Sequence, residues 1–429
     1  MNQIPQIVIP TSVELPRVEV VALPNGLSVH LICTAGQEVA RVSFVFEAGS
    51  ARQGKPFVAS STLNLLSEGS TRLSAHQIAE QLDFHGSYFD VSIDRDYAVA
   101  TFACLGKFFE PTLGLMSEIM FRPAFPADEV AIYATKRKER LAVERSKPAT
   151  KSRELFAEAL FGDRHPYGIS SPETDYDNLT RADIEEFYRR FYVADNCFVV
   201  CSLGDDPAQR DALLALLGQM RAGEKPIDEL FPTPHTDHYR YLPIEGAVQS
   251  AIRIGRVLFA RSHPDFVGMQ VLSTLLGGYF GSRLIQNLRQ QRGYTYGVFA
   301  AMVNLCHTGY LAIATEVGAD VTADAVEQVF AEMERLKTEL VSEDELENVK
   351  RNMLGEVMRI LDGPFGIVDV VIENIQTTMT AEGSLTPNIE SYLNGFIREI
   401  EATTPARIME LARLYLTRPA FTTVIIGKD

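Results

Sequence analysis

Two pairs of similar short segments occur in the same order along the chain, with one member of each pair in each half. His85-Gly-Ser-Tyr-Phe-Asp-Val resembles Arg292-Gly-Tyr-Thr-Tyr-Gly-Val, and Phe125-Pro-Ala-Asp-Glu-Val resembles Val341-Ser-Glu-Asp-Glu-Leu. Similarity at matching places in the order of elements is the sequence signature of an internal duplication. The sequence therefore predicts two homologous units that share one topology.

Each half alternates strand-like apolar segments with helical stretches. Val18–Ala22 and Leu27–Cys33 flank Pro24-Asn25-Gly26, which predicts a β-hairpin. The predicted fold class is α+β, with helices packed on a mostly antiparallel sheet in each unit. A stretch with three prolines and no periodicity separates the halves. The predicted division is residues 1–220, a linker at 221–237, and residues 238–429.

Charge and hydropathy exclude several classes of protein. The formal net charge is −16, from 40 basic and 56 acidic residues, which argues against nucleic-acid and anionic-membrane partners. No apolar run reaches the roughly 18–20 residues that a membrane-spanning helix needs. The N-terminus lacks a basic segment followed by an apolar core, so it does not read as a signal peptide. We expect a cytoplasmic protein, or a periplasmic one if a signal was removed.

A predicted helix near the start carries polar and apolar residues where a zinc peptidase would carry metal ligands. Pro56 suits its first position and Gly69 the residue after its end. A zinc helix of this kind needs two imidazoles for the metal and a carboxylate as general base for its water, on one face of a turn. Ser60, Leu63 and Asn64 occupy that face instead, so this turn is predicted not to hold a catalytic zinc ion.

Three stretches carry a resemblance to a known family across nearly the whole chain. They are the helix ending in Glu68-Gly69-Ser70, the turn Leu160-Phe-Gly-Asp-Arg-His-Pro-Tyr-Gly168, and Leu276-Gly-Gly-Tyr-Phe-Gly-Ser-Arg-Leu284 followed by Leu288-Arg-Gln-Gln-Arg-Gly-Tyr-Thr-Tyr296. In this order they resemble the pitrilysin/insulinase family of zinc metallopeptidases, whose signature is H-x-x-E-H. The resemblance is greatest to the short bacterial two-domain branch, which includes mitochondrial processing peptidase and the respiratory-complex core proteins.

The resemblance assigns the missing ligands to numbered positions. Aligned on Gly69, the family's two metal histidines fall on Ser60 and Asn64, and its catalytic glutamate falls on Leu63. The third metal ligand falls near Glu139 or Arg140. The chain therefore resembles the family's non-zinc-binding members, and we expect it to bind no metal or other cofactor itself.

The second half of the chain retains more of the family pattern. In active members an arginine and a tyrosine seven residues apart reach the zinc site from the C-terminal domain, and Arg289 and Tyr296 match that pair. The local sequence alone favours a structural explanation, with a helix-terminal arginine and a packing tyrosine, and the family match favours a functional one. Gly277, Gly278 and Gly281 match a loop near the family's substrate path, and the plainer interpretation of that loop is a turn between helices.

The resemblance implies a subunit that is inactive alone. It would supply Arg289 and Tyr296 in trans to the zinc site of a homologous H-x-x-E-H subunit, as half of a clamshell that encloses unfolded peptides. The zinc of such a heterodimer or heterotetramer, a metalloendopeptidase, would belong to the partner. One alternative is a non-catalytic scaffold or assembly protein, like the respiratory-complex core proteins. Another is a peptide-binding homodimer without catalysis.

Overall fold

The computed structural model describes residues 11–227, 231–382 and 388–427. The predicted linker therefore lies partly outside the described residues, and the N-terminal residues 1–10 lie wholly outside them. The strands in the described part, in chain order, are β1 (Glu19–Ala22), β2 (Ser28–Thr34), β3 (Val39–Phe46), β4 (Tyr88–Ile93), β5 (Ala98–Leu105), β6 (Cys197–Gly204), β7 (Tyr239–Pro243), β8 (Gln249–Val257), β9 (Val298–Asn304), β10 (Gly309–Gly318) and β11 (Thr422–Gly427).

Helices of two or more turns connect and cover these strands. In chain order they are α1 (Val58–Asn64), α2 (Ala75–His85), α3 (Phe109–Phe121), α4 (Ala127–Arg145), α5 (Pro148–Phe161), α6 (Arg181–Phe191), α7 (Pro207–Leu217), α8 (Phe266–Ser273), α9 (Thr322–Thr338), α10 (Glu343–Ile360), α11 (Pro364–Glu382), α12 (Ile389–Ala402) and α13 (Pro405–Tyr415). Two π-helical segments, Thr274–Gly278 and Ile285–Gln291, follow α8. Among the described residues, no helix is long and apolar enough to cross a membrane.

The two halves share one sheet topology. The N-terminal sheet has the order β1-β2-β6-β3-β5-β4, and the C-terminal sheet has the order β7-β11-β8-β10-β9. In each, one parallel pair (β2 with β6, β7 with β11) is followed by three antiparallel pairings. Strand β1 is an addition to the N-terminal sheet. The predicted α+β fold with two similar units is confirmed.

One helix of each half packs on the sheet of the other half. Helix α11 covers one face of the N-terminal sheet, where its Val368, Val371 and Ile375 join a core with Phe198 and Val200 of β6. Helix α5 packs on the C-terminal sheet, where Phe156 and Leu160 join a core with residues of β11. Because burial of apolar area is the main favourable term in folding, this exchange ties the two halves into one packed body.

A hydrogen bond between two hairpin loops, one from each sheet, also connects the halves. Asp96 lies in the hairpin loop between β4 and β5, and Cys306 lies in the hairpin loop between β9 and β10. The Asp96 Oδ2 atom accepts a hydrogen bond of 2.8 Å from the Cys306 backbone N–H. The part of the predicted linker after residue 230 also returns to α5, since the Asp237 N–H donates to the Ala159 carbonyl at 2.7 Å.

Candidate functional site

Helix α1 begins at Val58, two residues later than the predicted start at Pro56. The residue before it, Phe57, adopts a left-handed conformation with φ of 63°. This conformation is costly for a bulky side chain, and it is held by tertiary contacts. The Phe57 ring stacks on the Tyr176 ring with centroids 4.1 Å apart and planes within 3°. The entry to the degenerate zinc helix is therefore fixed by aromatic packing.

The three positions that match the family's zinc motif are engaged within the protein. The Ser60 hydroxyl donates to the Phe57 carbonyl at 3.1 Å, and the Asn64 amide donates to the Ser60 carbonyl at 2.7 Å. The Leu63 side chain is fully buried in the core of the N-terminal half. These side chains do not fit a zinc ion, because two are turned to their own helix and the third is alkyl.

The third metal-ligand position falls on the exposed face of α4. Glu139 and Arg140 both point to solvent, and the Arg140 Nε donates to Glu144 Oε1 at 2.8 Å. The half-buried face of α4 carries Tyr133 and Arg137 instead, with the guanidinium carbon 6.0 Å from the ring centroid. A guanidinium at this place repels a divalent cation. Across residues 11–227, 231–382 and 388–427 there is no group of three His, Cys, Asp or Glu that could hold a metal ion.

Sequence reasoning did not identify Tyr133 and Arg137. The Tyr133 hydroxyl lies beside the Ser61 hydroxyl of α1, and burial raises its pKa to about 12. Because that phenol stays protonated at neutral pH, it is a hydrogen-bond donor and not a metal ligand. The spacing of Val130, Tyr133 and Arg137 by three and four residues is the signal that could have placed them on one buried face.

Arg289 and Tyr296 come together at the surface of the C-terminal half. Arg289 lies in the π-helical segment Ile285–Gln291, and Tyr296 follows the left-handed Gly293 (φ of 66°). The guanidinium carbon lies 5.0 Å from the centroid of the Tyr296 ring, and the Tyr296 side chain is 90% exposed. Within the described part of the chain, the Arg289 guanidinium has no hydrogen bond or ion pair. Its donors and the phenol are therefore available to another molecule.

A buried polar network holds the segment that carries Arg289. The Asn287 amide donates to Glu332 Oε1 of α9 at 2.7 Å, and Asn287 Oδ1 accepts from Arg292 Nε at 2.9 Å. Asn287 and Glu332 are both buried. Satisfied buried networks of this kind fix one arrangement of the backbone, so the turn that presents Arg289 is rigid.

Gly277, Gly278 and Gly281 lie between α8 and the segment that carries Arg289. A Cβ at Gly277 would stand 2.7 Å from the Ala300 Cβ of edge strand β9, and a Cβ at Gly281 would stand 2.7 Å from the Tyr279 ring. Gly277 and Gly278 end the π-helical segment after α8. At Gly277 a side chain would collide with the strand, which explains a glycine there.

A cavity of about 340 Å³ opens beside Gly278. Its walls include Phe299 and Met302 of β9, Met353 of α10 and Phe396 of α12. The Phe299 side chain is 58% exposed at this cavity. A volume of this size is typical of pockets that bury a ligand or a large side chain.

The positions of the degenerate zinc motif and the Arg289–Tyr296 pair lie in different halves of the molecule. Leu63 belongs to the core of the N-terminal half. Leu288, the residue before Arg289, belongs to the core of the C-terminal half, and Tyr294, two residues before Tyr296, packs against that core. The site residues predicted from sequence therefore form two separate groups in this chain.

Comparisons with known proteins agree with this architecture. A family model described as "Peptidase M16 inactive domain" matches residues 178–353. An uncharacterized zinc protease of Mycobacterium tuberculosis is 25% identical over 411 residues, covering 92% of this chain and 90% of the relative. The chain therefore resembles M16 peptidases in sequence over most of its length. The pitrilysin-type recognition made from the sequence is thereby confirmed.

The similarity to further relatives also extends over most of this chain. The uncharacterized zinc protease YmxG of Bacillus subtilis is 21% identical over 351 residues, covering 82% of this chain and 83% of that protein. The matched family model lies outside residues 60–64, so the assignment of an inactive metal site depends on Ser60, Leu63 and Asn64 themselves.

Two solved structures share the fold of this chain. A peptidase M16 inactive domain from Pseudomonas fluorescens superposes with a TM-score of 0.85 at 22% identity, covering 96% of this chain and 98% of that one. A protease from Helicobacter pylori superposes with a TM-score of 0.82 at 19% identity, covering 96% and 100%. At this level of identity the likeness is one of fold.

Proposed function

We propose that this chain is the non-zinc-binding subunit of a pitrilysin-type zinc metalloendopeptidase. In this proposal a homologous H-x-x-E-H subunit holds the zinc, and the present chain supplies Arg289 and Tyr296 in trans, in a heterodimer or heterotetramer. The observation that carries the proposal is the contrast between the two groups. The side chains at the motif positions bond to their own helix or lie in the core. Tyr296 is exposed instead, and the half-buried Arg289 has hydrogen-bond donors that no described residue uses.

Arg289 and Tyr296 have the chemistry to hold a peptide carbonyl. A guanidinium and a phenol both donate hydrogen bonds, and donors aimed at a carbonyl oxygen stabilise the negative charge that develops there during hydrolysis. The Arg289 guanidinium carbon is only 5.0 Å from the Tyr296 ring, so both groups can reach one substrate atom. The metal chemistry is assigned to the partner, because this chain's own motif positions do not fit zinc.

A cavity in the C-terminal half suits an unfolded peptide as the substrate. This cavity lies beside Gly278 and offers an apolar wall for a peptide side chain, to which the exposed Phe299 belongs. We assign Gly277, Gly278 and Gly281 to the path of that peptide. This chain and its H-x-x-E-H partner, facing each other, would form the chamber of a clamshell.

The proposal includes two homologous units, 1–220 and 238–429, joined by the segment 221–237. It also includes a cytoplasmic location, which suits the chemistry of the cysteines. No disulfide joins the cysteines of the described residues, which are Cys33, Cys104, Cys197, Cys201 and Cys306. Unpaired cysteines are typical of reducing compartments.

Mixing of separately purified subunits tests the proposal. The partner is the homologous H-x-x-E-H subunit encoded in the same organism, and the substrate is a mixture of fluorescence-quenched peptides. We expect no stoichiometric zinc in the present chain, no cleavage by it alone, and a large gain in cleavage when it is added to the partner. One tight zinc ion per present chain contradicts the proposal. A stable pair without a gain in cleavage favours the scaffold alternative.

A further inference from the structure

Phe280 is an exposed aromatic residue that contacts Arg289. Phe280 lies in the glycine-rich turn between Gly278 and Gly281, and it is 67% exposed. The Arg289 guanidinium carbon lies 5.3 Å from the centroid of the Phe280 ring, nearly as close as its 5.0 Å distance from the Tyr296 ring. One cation is therefore in contact with two exposed aromatic rings.

Stacking on a ring leaves the hydrogen-bonding edge of a guanidinium free. The cation–π attraction uses the face of the planar group, while its N–H donors lie in the plane. The Arg289 guanidinium contacts the rings of Phe280 and Tyr296. It makes no hydrogen bond or ion pair with any described residue. The rings thus restrict the position of Arg289 without using the donors that a substrate needs.

We propose that Phe280 is a positioning residue that holds Arg289 in place for the bound peptide. This inference rests on the proposed function. Tyr296 is itself assigned to the substrate, so its ring is not a fixed support once a peptide is bound. Phe280 has no hydroxyl and no other assigned task, and it follows a segment that is packed closely against β9 at Gly277. It is therefore the ring that keeps Arg289 oriented during the reaction.

Kinetics of the reconstituted pair separate a positioning role from the other roles open to an exposed phenylalanine. The test variant is Phe280→Leu, which keeps an apolar side chain but removes the ring, and Phe280→Tyr restores the ring. We expect Phe280→Leu to lower kcat about twofold to fivefold at saturating partner, in proportion to one exposed cation–π contact. We expect KM to change little and Phe280→Tyr to restore kcat. The matched control is Phe84→Leu, because Phe84 is also exposed and lies on α2 of the other half.

Two results of these kinetic measurements would assign Phe280 a different role. A rise in KM with unchanged kcat makes Phe280 a substrate contact. A weaker association of the two subunits with normal kcat at saturating partner makes it an interface residue. In either case Phe280 does not position Arg289.

A second measurement uses the isolated full-length chain and does not depend on catalysis. With ¹³C-labelled arginine, NMR signals of the Arg289 side chain should show ring-current shifts, assigned by their loss in Arg289→Lys. We expect Phe280→Leu to move these signals towards those of a free arginine, and Phe280→Tyr and Phe84→Leu to leave them in place. Unchanged signals in Phe280→Leu overturn the inference.

The two levels of the proposal fail in different ways. If Arg289→Ala lowers kcat of the pair but Phe280→Leu does not, the inference about Phe280 fails and the proposed function stands. If Arg289→Ala itself leaves kcat unchanged, the proposed function fails, and the purpose assigned to Phe280 fails with it.

Discussion

The Tyr167 hydroxyl donates a hydrogen bond of 2.6 Å to Asp96 Oδ1. The other oxygen of the same carboxylate accepts from the Cys306 backbone N–H. Tyr167 lies in the turn that follows α5, so Asp96 joins that turn to the hairpin loops of both sheets. Burial, and then the nearby Asp96 charge, raise the pKa of Tyr167, which keeps the phenol protonated as a donor. The His165-Pro166-Tyr167 segment therefore has a structural role between the halves.

Removal of the Tyr167 hydroxyl should destabilise the folded chain. A buried hydrogen bond to a charged acceptor contributes about 2 kcal/mol, so Tyr167→Phe should lower the free energy of unfolding by about that amount. Urea denaturation measures this change. The control is Tyr88→Phe, since the Tyr88 side chain is exposed and its hydroxyl makes no hydrogen bond in the described part of the chain. Equal stability of Tyr167→Phe and the wild type would show that the bridge through Asp96 contributes nothing.

The exchange of α5 and α11 predicts that the halves do not fold separately. A fragment of residues 1–237 lacks α11, which leaves Phe198 and Val200 of β6 uncovered. Because a large exposed apolar face promotes aggregation, we expect this fragment to be insoluble or to bind hydrophobic dyes. Co-expression with residues 238–429 should restore a soluble complex. A monomeric, cooperatively folded fragment 1–237 would show instead that the units of the fold coincide with the halves of the sequence.

The sequence was sufficient to predict the α+β fold and its two similar units. It also predicts a degenerate zinc motif at Ser60, Leu63 and Asn64, and that assignment stays a prediction. Both follow from patterns along the chain: the repeated segments in one case, and the distance to Gly69 in the other. It was not sufficient to show which sheet each helix covers. An apolar stripe on α11 shows that one face is buried, but the same stripe fits either sheet.

Side-chain direction on α4 was a second limit of the sequence. Successive residues of a helix differ in direction by about 100°, so an error of one residue in alignment moves a side chain from the buried to the exposed face. The sequence predicts the third ligand position near Glu139 or Arg140, which are exposed, whereas Tyr133 and Arg137 occupy the half-buried face. Because most phenylalanines are buried, the residue type alone predicts a buried Phe280, whereas the structure shows it exposed.

Restoring the family's glutamate at position 63 should be strongly destabilising. Leu63 is fully buried, so Leu63→Glu removes apolar packing and buries a carboxyl group without a partner, at a cost of about 3 kcal/mol or more. Burial would raise the folded-state pKa of that carboxyl above its unfolded value, so the loss of stability should grow as pH rises through neutrality and shrink in mild acid.

The matched control for Leu63→Glu is Ser60→Ala on the same helix. The Ser60 hydroxyl donates only to the carbonyl of Phe57, so its removal should change the unfolding free energy by about 0.5 kcal/mol or less. Urea denaturation at two pH values measures both variants. A Leu63→Glu variant as stable as the wild type would mean that the former metal site is open to solvent.

His30 should make the protein less stable in mild acid. It is completely buried in β2, and burial lowers its pKa from 6.5 to about 4. Since the unfolded chain takes up the proton at a higher pH than the folded chain, stability falls as pH drops from about 6.5 towards 4. The His30 contribution to this fall is about 2 kcal/mol between pH 7 and pH 5.

Urea denaturation at pH 7 and pH 5 tests the role of His30. The His30→Gln variant removes the titrating group and should show a pH dependence smaller by about 2 kcal/mol than that of the wild type. The comparison is between slopes, so a general loss of stability in the variant does not affect it. An identical pH dependence in both proteins would mean that His30 titrates normally in the folded state.

The most direct test of the account is the cleavage rate of the reconstituted pair when the present chain carries Arg289→Ala or Tyr296→Phe. Removal of one preorganised donor from a site of this kind lowers kcat about 10²- to 10³-fold, and we predict a loss of that order for each variant, with subunit association unchanged. The control is Arg351→Ala on α10, an exposed arginine paired with Glu347 within its own helix. Undiminished rates for both site variants, equal to the control, would contradict the claim that this chain completes its partner's active site.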